Sequence, residues 1–150
     1  MSIKIQFATL SLGASVDQQT GNLSVFDILE EVRTPQLPVQ LPFLVISLIV
    51  EKKEAVDFQG KMLIHLFTPD GTQQMIGSGD MRVPMDQKRM KAVFRFGGFP
   101  ISHYGNYRFV LSCVNDSGNK IGEAILGFDA IQVAQVGQGI AQSEKPKLAH

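Results

Sequence analysis

Few residues in this chain have the types and spacing that could support catalysis. Cys113 with His103 or His65 could form a nucleophile and its general base. Cys113, however, lies in the apolar phase of a predicted strand, where a buried thiol is usually unreactive. His65 lies in the middle of another predicted strand, where a solvent-facing or hydrogen-bonded histidine is common. We therefore predict no catalytic residue and expect that the protein is not an enzyme.

Metal and phosphate sites have equally little support in the sequence. The three histidines have no spacing typical of metal ligands. Asn115, Asp116 and Asn119 could offer oxygens to calcium, but Asn-Asp-Ser-Gly is also typical of an ordinary turn. Gly77 and Gly79 introduce no helix, which argues against a phosphate-binding loop. The sequence thus predicts no metal and no cofactor.

Composition limits the classes of partner. The chain has 150 residues, 44% of them hydrophobic, which suits one domain with a real core. Its 14 basic and 14 acidic residues cancel, so it lacks the positive field that nucleic acid or an anionic membrane attracts. One cysteine allows no internal disulfide, and neither a signal peptide nor a transmembrane segment is visible. We expect a soluble cytoplasmic protein whose near-zero net charge favours self-association.

The elements that must position any site are strands. Residues 41–50 form an apolar, largely β-branched run that is too short to cross a bilayer, so it predicts a central strand buried on both faces. Ile3 to Phe7 alternate, and a bulge near Ala8 is expected where the phase changes. Two strands should pair around Pro69-Asp70-Gly71 as a hairpin. Residues 23–32 fit either a helix or a strand.

Other segments are predicted to be irregular. They are the proline-containing residues 34–42, the charged residues 51–59, residues 77–88, and the break at residues 97–100. Strands separated by turns about every ten residues indicate a single antiparallel β-sandwich of about seven or eight strands over residues 1–133, with residues 134–150 as a flexible polar tail. The predicted core is Phe7, Leu44, Ile46, Leu48, Phe94, Phe109 and Leu111.

Four stretches together resemble a known family. They are GNLSVFDILEEV at 21–32, the proline-rich crossing at 35–42, TPDG at 68–71 and YGNYRFVL at 104–111. They resemble a DUF6941-like family of small bacterial proteins of unknown function over roughly residues 5–133. The resemblance implies a β-sandwich, a strand at 23–32, and no assigned site. The piece containing Gly105, Tyr107 and Phe109 also looks like the tyrosine-containing strand entry of immunoglobulin-like sandwiches.

The remaining features favour a binding role. Met81 and Met85 lie in a methionine-rich segment, and flexible thioethers suit adaptable contact surfaces as well as core gaps. Phe99, His103 and Tyr104 lie in one predicted loop, where they could form a contact patch or close one end of the sandwich. We predict a non-catalytic protein-interaction module that binds a protein partner or itself. The alternative is a small-molecule or carbohydrate-binding sandwich that uses the loops at one end.

Overall fold

The computed structural model describes residues 3–135, and within them it contains nine strands and no helix. The strands are β1 (Ile3–Val16), β2 (Leu23–Ile28), β3 (Glu31–Thr34), β4 (Val39–Lys52), β5 (Phe58–Phe67), β6 (Gln73–Val83), β7 (Arg89–Ile101), β8 (Gly105–Asn115) and β9 (Lys120–Gln132). The predicted tail at 134–150 lies outside the described residues except for its first two positions.

The strands form two open sheets. The first has the order β2-β1-β4-β7 and the second the order β3-β9-β8-β5-β6. All pairs are antiparallel except β3 with β9. The predicted all-β sandwich is confirmed, as is the strand assignment at 23–32. The predicted number of strands was too low, because that segment divides at Leu29–Glu30 into two strands that belong to different sheets. The immunoglobulin-like class stays a prediction.

The core lies between the two sheets. β4 pairs with both β1 and β7, and Leu44–Leu48 are buried without interruption, as the apolar run predicts. Phe99 of the first sheet packs edge-on against Tyr107 and Phe128 of the second, with ring centroids 6.1 Å apart in both pairs. Rings of this size supply much of the apolar area that such a core buries. Of the predicted core residues, Leu44, Ile46, Leu48, Phe109 and Leu111 are fully buried.

A side-chain hydrogen bond connects the end of β1 to β7 across the first sheet. The guanidinium of Arg95 in β7 donates to the carbonyl of Ala14, although β4 separates their strands within the sheet. Leu23 near the tip of the β1–β2 hairpin lines a cleft together with Ile49 of β4. The hairpin tip therefore lies close to β4 and β7.

Two of the predicted core residues are not fully buried. The bulge in β1 falls between Ile5 and Phe7 rather than near Ala8. A bulge places one extra residue on one strand and reverses the facing of those that follow. Phe7 therefore points outward and is 40% exposed, so its predicted burial was wrong, whereas Leu10 points into the core. Phe94 is half-buried.

Two glycines explain why β6 continues where an irregular segment was predicted. A Cβ on Gly77 would lie 3.2 Å from the Phe96 ring, and one on Gly79 would lie 3.1 Å from the Phe94 ring. These glycines thus leave room for the rings of β7 against β6. The predicted break at 97–100 was also wrong: β7 runs to Ile101, and Gly98, with φ of 65°, changes the strand's phase without ending it.

The predicted solvated connection at 51–59 begins with a buried residue. Lys52 ends β4 and is 3% exposed. Its ammonium donates to the backbone carbonyls of Val56 and Pro84, at 2.6 and 2.5 Å. These bonds satisfy a charge that burial would otherwise destabilise, and they connect the β4–β5 loop to the end of β6.

Candidate functional site

Two of the five residues predicted to make contacts are part of the core. Met81 is 2% exposed, and its sulfur lies 3.6 Å from the sulfur of Cys113. Phe99 is 8% exposed and belongs to the aromatic cluster between the sheets. The sequence left open whether these side chains fill the core or face a partner, and the structure places both in the core.

The other three residues lie at the two ends of the sandwich. Met85 is exposed in the β6–β7 loop, where its amide donates to the Asp57 carboxylate at 2.6 Å. His103 and Tyr104 follow β7, whose 13 residues separate them from Met85 by roughly 40 Å. The Tyr104 hydroxyl donates to the carbonyl of Thr34 at 3.2 Å. These residues therefore form no common surface, and a contact role for each of them stays a prediction.

The thiol of Cys113 is poorly placed for chemistry. Burial raises its pKa to about 11, so almost none of it is thiolate at neutral pH. Cys113 faces the core from β8, whereas His65 pairs with Val110 on the opposite face of the same sheet. His103 lies beyond the start of β8, ten residues away along the chain. The structure thus does not bring Cys113 together with either histidine considered as its base.

Residues 115–119, whose oxygens were weighed as calcium ligands, fold as a turn closed by the Asn115 side chain. Asn115 Oδ1 accepts hydrogen bonds from the amides of Ser117 and Asn119, at 3.0 and 2.9 Å. Within residues 3–135, no group of three or more His, Cys, Asp and Glu side chains is arranged to hold a metal ion. The same residues include no helix long and apolar enough to span a membrane.

A continuous row of largely apolar side chains crosses the outer face of the second sheet. His65 of β5 pairs with Met75 of β6 on one side and Val110 of β8 on the other, and Val110 pairs with Ile125 of β9. Met75 is 56% exposed and Ile125 58% exposed, whereas His65 and Val110 are half-buried. We call these four residues the apolar row. Phe67 and Leu63 of β5 extend it along the strand on either side.

Charged side chains stand on both sides of the apolar row. Arg108 precedes Val110 by two residues in β8, and Glu123 precedes Ile125 by two residues in β9. Because β8 and β9 are antiparallel, these two charges lie on opposite sides of the row. The Arg108 guanidinium lies 4.6 Å from the centre of the Phe67 ring, a cation–π contact that holds it over the sheet.

Sequence reasoning missed the apolar row, although a signal for it is present. In each of three strands, apolar residues occupy the phase that should face water: Leu63 and Phe67, Val110, and Ile125. Such residues beside an already buried phase indicate that the second face of the sheet is also a contact surface. Pairing these positions requires the strand register, which the sequence alone does not provide.

A second candidate site is a concave region at one end of the sandwich, between β6 and β7. It has a volume of about 370 Å³. Leu66, Ile76, Phe96, Phe99 and Tyr107 form its apolar floor, and Thr68, Asp70, Thr72, Gln74, Ser102 and His103 its polar rim. We call it the end cleft. Phe96, which lines the cleft, also packs against Gly77 of β6.

The sequence model of a family of unknown function, DUF6941, matches residues 6–122. The chain therefore belongs to this family, as its strand and turn pattern suggested. Among curated proteins, none matches the chain.

Solved structures that this chain resembles in part include two β-glucosidases. A β-glucosidase from Listeria innocua in complex with glucose is 6% identical, with a TM-score of 0.48 over 86% of this chain and 17% of the enzyme. DesR, a β-glucosidase from Streptomyces venezuelae in complex with D-glucose, is 11% identical, with a TM-score of 0.39 over 62% of this chain and 14% of the enzyme. This chain thus spans less than a fifth of either enzyme.

Proposed function

We propose that this protein is a non-catalytic interaction module that associates with a second copy of itself through the outer face of its second sheet. The observation that carries the proposal is the apolar row, which crosses four strands and leaves Met75 and Ile125 more than half exposed. Exposed apolar residues that are contiguous across a sheet indicate a binding surface, whereas scattered ones do not.

The non-catalytic part of the proposal rests on the state of the thiol. Cys113 is buried with a raised pKa, and neither His65 nor His103 lies on its face of the sheet. General-base activation needs the base within hydrogen-bond reach of the nucleophile, which this arrangement does not offer. We accordingly assign the main role in function to the apolar row and not to the thiol. We also propose that the protein acts in the cytoplasm.

Charge complementarity favours a second copy as the partner. A two-fold axis along the apolar row would exchange its two sides, so that Arg108 of one copy approaches Glu123 of the other. Glu123 is also paired with Lys120 of its own chain, 2.7 Å away, so it would be shared between the two cations. Arg108 and Glu123 stand equally far from the row and one strand apart, which is about 4.8 Å. The same operation places Phe67 of one copy over Leu63 of the other. A symmetric dimer requires such self-complementarity, and the zero net charge removes long-range repulsion between copies.

Sedimentation equilibrium of surface variants tests this proposal. Met75→Glu and Ile125→Glu would place charge in the desolvated centre of the contact, so each should convert dimers to monomers. The matched controls are Met85→Glu and Ile28→Glu, whose wild-type side chains are 58% and 62% exposed but lie away from the second sheet's outer face. Loss of the dimer in the controls alone would refute the proposal and favour the predicted contact at Met85. A monomeric wild-type protein at all concentrations would also refute it.

A further inference from the structure

The end cleft combines an apolar floor with a polar rim. Phe96 and Phe99 line its floor. At its rim, the side chains of Gln74 and Ser102 make no hydrogen bond to any other residue that the structure describes, and the charge of His103 interacts with the Asp70 carboxylate. Small-molecule sites typically pair apolar walls with a few convergent polar groups, in volumes of about 300–1,000 Å³.

A hydrogen-bond network fixes one side of the rim. Asp70 accepts hydrogen bonds from the hydroxyls of Thr68 and Thr72 and from the Thr72 amide. The Thr68 hydroxyl, followed by the Thr72 amide, lowers the pKa of Asp70 below its usual value, so the carboxylate is ionised at neutral pH. A rim that is ordered without a ligand loses little entropy when a ligand binds.

A second segment of the rim is fixed by Tyr107. Its hydroxyl makes hydrogen bonds to both backbone groups of His103, at 3.0 and 3.2 Å. The backbone of His103 is thus held against β8, while its imidazole lies at the rim, where its charge interacts with the Asp70 carboxylate. The cleft therefore lies between two anchored segments, the β5–β6 turn and the β7–β8 loop.

The chemistry of the rim defines the class of ligand. Amide, hydroxyl and imidazole groups offer both donors and acceptors, and Asp70 adds an acceptor. The described lining contains neither lysine nor arginine, the side chains that anionic ligands usually require. We propose that the end cleft binds a small neutral polyhydroxylated molecule of about monosaccharide size, whose apolar face lies over the phenylalanines and whose hydroxyls contact Gln74, Ser102 and His103.

This site and the proposed dimer use different surfaces, although Met75 of the apolar row lies between Gln74 and Ile76 of the cleft along β6. The end cleft lies between the edges of β6 and β7, whereas the apolar row lies on the outer face of the second sheet. Binding to the cleft and association through the row can therefore be measured separately, and the failure of one would leave the other standing.

Amide NMR titration of the full chain provides the test. The probes are D-glucose, D-galactose, D-mannose and N-acetylglucosamine, with choline as a cationic probe and inorganic phosphate as an anionic one. At least one sugar should shift the amides of residues 68–76 and 97–103, with a dissociation constant on the order of 1 mM. Gln74→Ala and His103→Ala should each weaken that binding about tenfold. Gln73→Ala, an exposed glutamine one position away, should leave it unchanged.

The possible outcomes separate clearly. Shifts in the two named segments, lost in the Gln74 and His103 variants, support the site. The absence of shifts with all four sugars would refute the ligand class, as would binding of choline or phosphate alone. Shifts elsewhere in the wild-type chain would refute the location. This result comes from the wild-type protein alone, so it holds even if a variant fails to fold.

Discussion

The hydroxyl of Tyr107 donates to the carbonyl of His103 and accepts from its amide, so one side chain satisfies both backbone groups of the same residue. Tyr107 is 2% exposed, and its ring stacks on Phe128 with centroids 4.9 Å apart. A core residue thereby determines the path of the loop that forms one wall of the end cleft. The contact resembles the tyrosine corner, in which a strand-entry tyrosine binds the backbone a few residues upstream.

Removing this hydroxyl should destabilise the fold measurably. Tyr107→Phe leaves the two His103 backbone groups without partners, which should cost about 1–3 kcal/mol of unfolding free energy. Tyr104→Phe removes a single hydrogen bond, to Thr34, and should cost less. Urea denaturation of both variants would measure the difference. Equal stabilities of the two variants would contradict the role given to Tyr107.

The core assignment predicts a large effect at Phe109. This side chain is fully buried and its ring lies 5.9 Å from that of Phe99 in the opposite sheet. Phe109→Ala should lower the free energy of unfolding by about 3–5 kcal/mol. Phe43→Ala, at a residue that is 62% exposed, should change it by less than about 1 kcal/mol. Thermal unfolding of the two variants would check the prediction, and similar melting temperatures would contradict the strand phasing.

Much of the fold could be predicted from the sequence where the hydrophobic pattern is regular. The run at 41–50 and the alternating residues at 107–113 identify buried strands, and Pro69-Asp70-Gly71 identifies the β5–β6 hairpin. The errors occur where the alternation changes phase. The phase of Phe7 depends on a bulge whose position the local pattern does not fix, and the continuity of β7 depends on the left-handed Gly98.

The candidate surfaces were less predictable, for a physical reason. The apolar row and the end cleft are assembled from four or more segments, and only strand register brings those segments together. The methionines were adjacent in sequence, yet Met81 faces the core and Met85 faces solvent at one end. The clustering of methionines in the sequence therefore indicated a single surface, but the fold separates Met81 from Met85. Met75 instead belongs to the apolar row.

Two glycines with different surroundings should respond in opposite ways to alanine. A Cβ on Gly60 would lie 2.1 Å from the carbonyl oxygen of Val114, which is backbone and cannot move away cheaply. Gly60→Ala should destabilise the protein by about 1–3 kcal/mol. A Cβ on Gly97 would meet nothing within 4 Å, so Gly97→Ala should be neutral or stabilise by up to about 1 kcal/mol. Chemical denaturation of both variants would test the β5–β8 register, and a stable Gly60→Ala variant would contradict it.

The raised pKa of Cys113 makes a prediction about pH. The pKa of this thiol is about 11 in the folded protein and 9.0 in the unfolded chain, so the unfolded chain loses its proton first. The contribution of the thiol to stability is therefore complete below pH 9 and is lost as the pH rises to 11. At pH 8 a disulfide-exchange reagent should react with the folded protein far more slowly than with the urea-unfolded chain. Comparable rates would show that the thiol is accessible.

The most direct test of the proposed association is a charge exchange across the two-fold axis, measured by sedimentation equilibrium. Arg108→Glu alone and Glu123→Arg alone should each weaken the dimer about tenfold or more, because each places like charges opposite one another twice in the symmetric contact. The double variant, Arg108→Glu with Glu123→Arg, restores opposite charges and should recover most of the wild-type affinity. Single variants that dimerise like the wild type, or a double variant no stronger than either single one, would contradict the proposed interface.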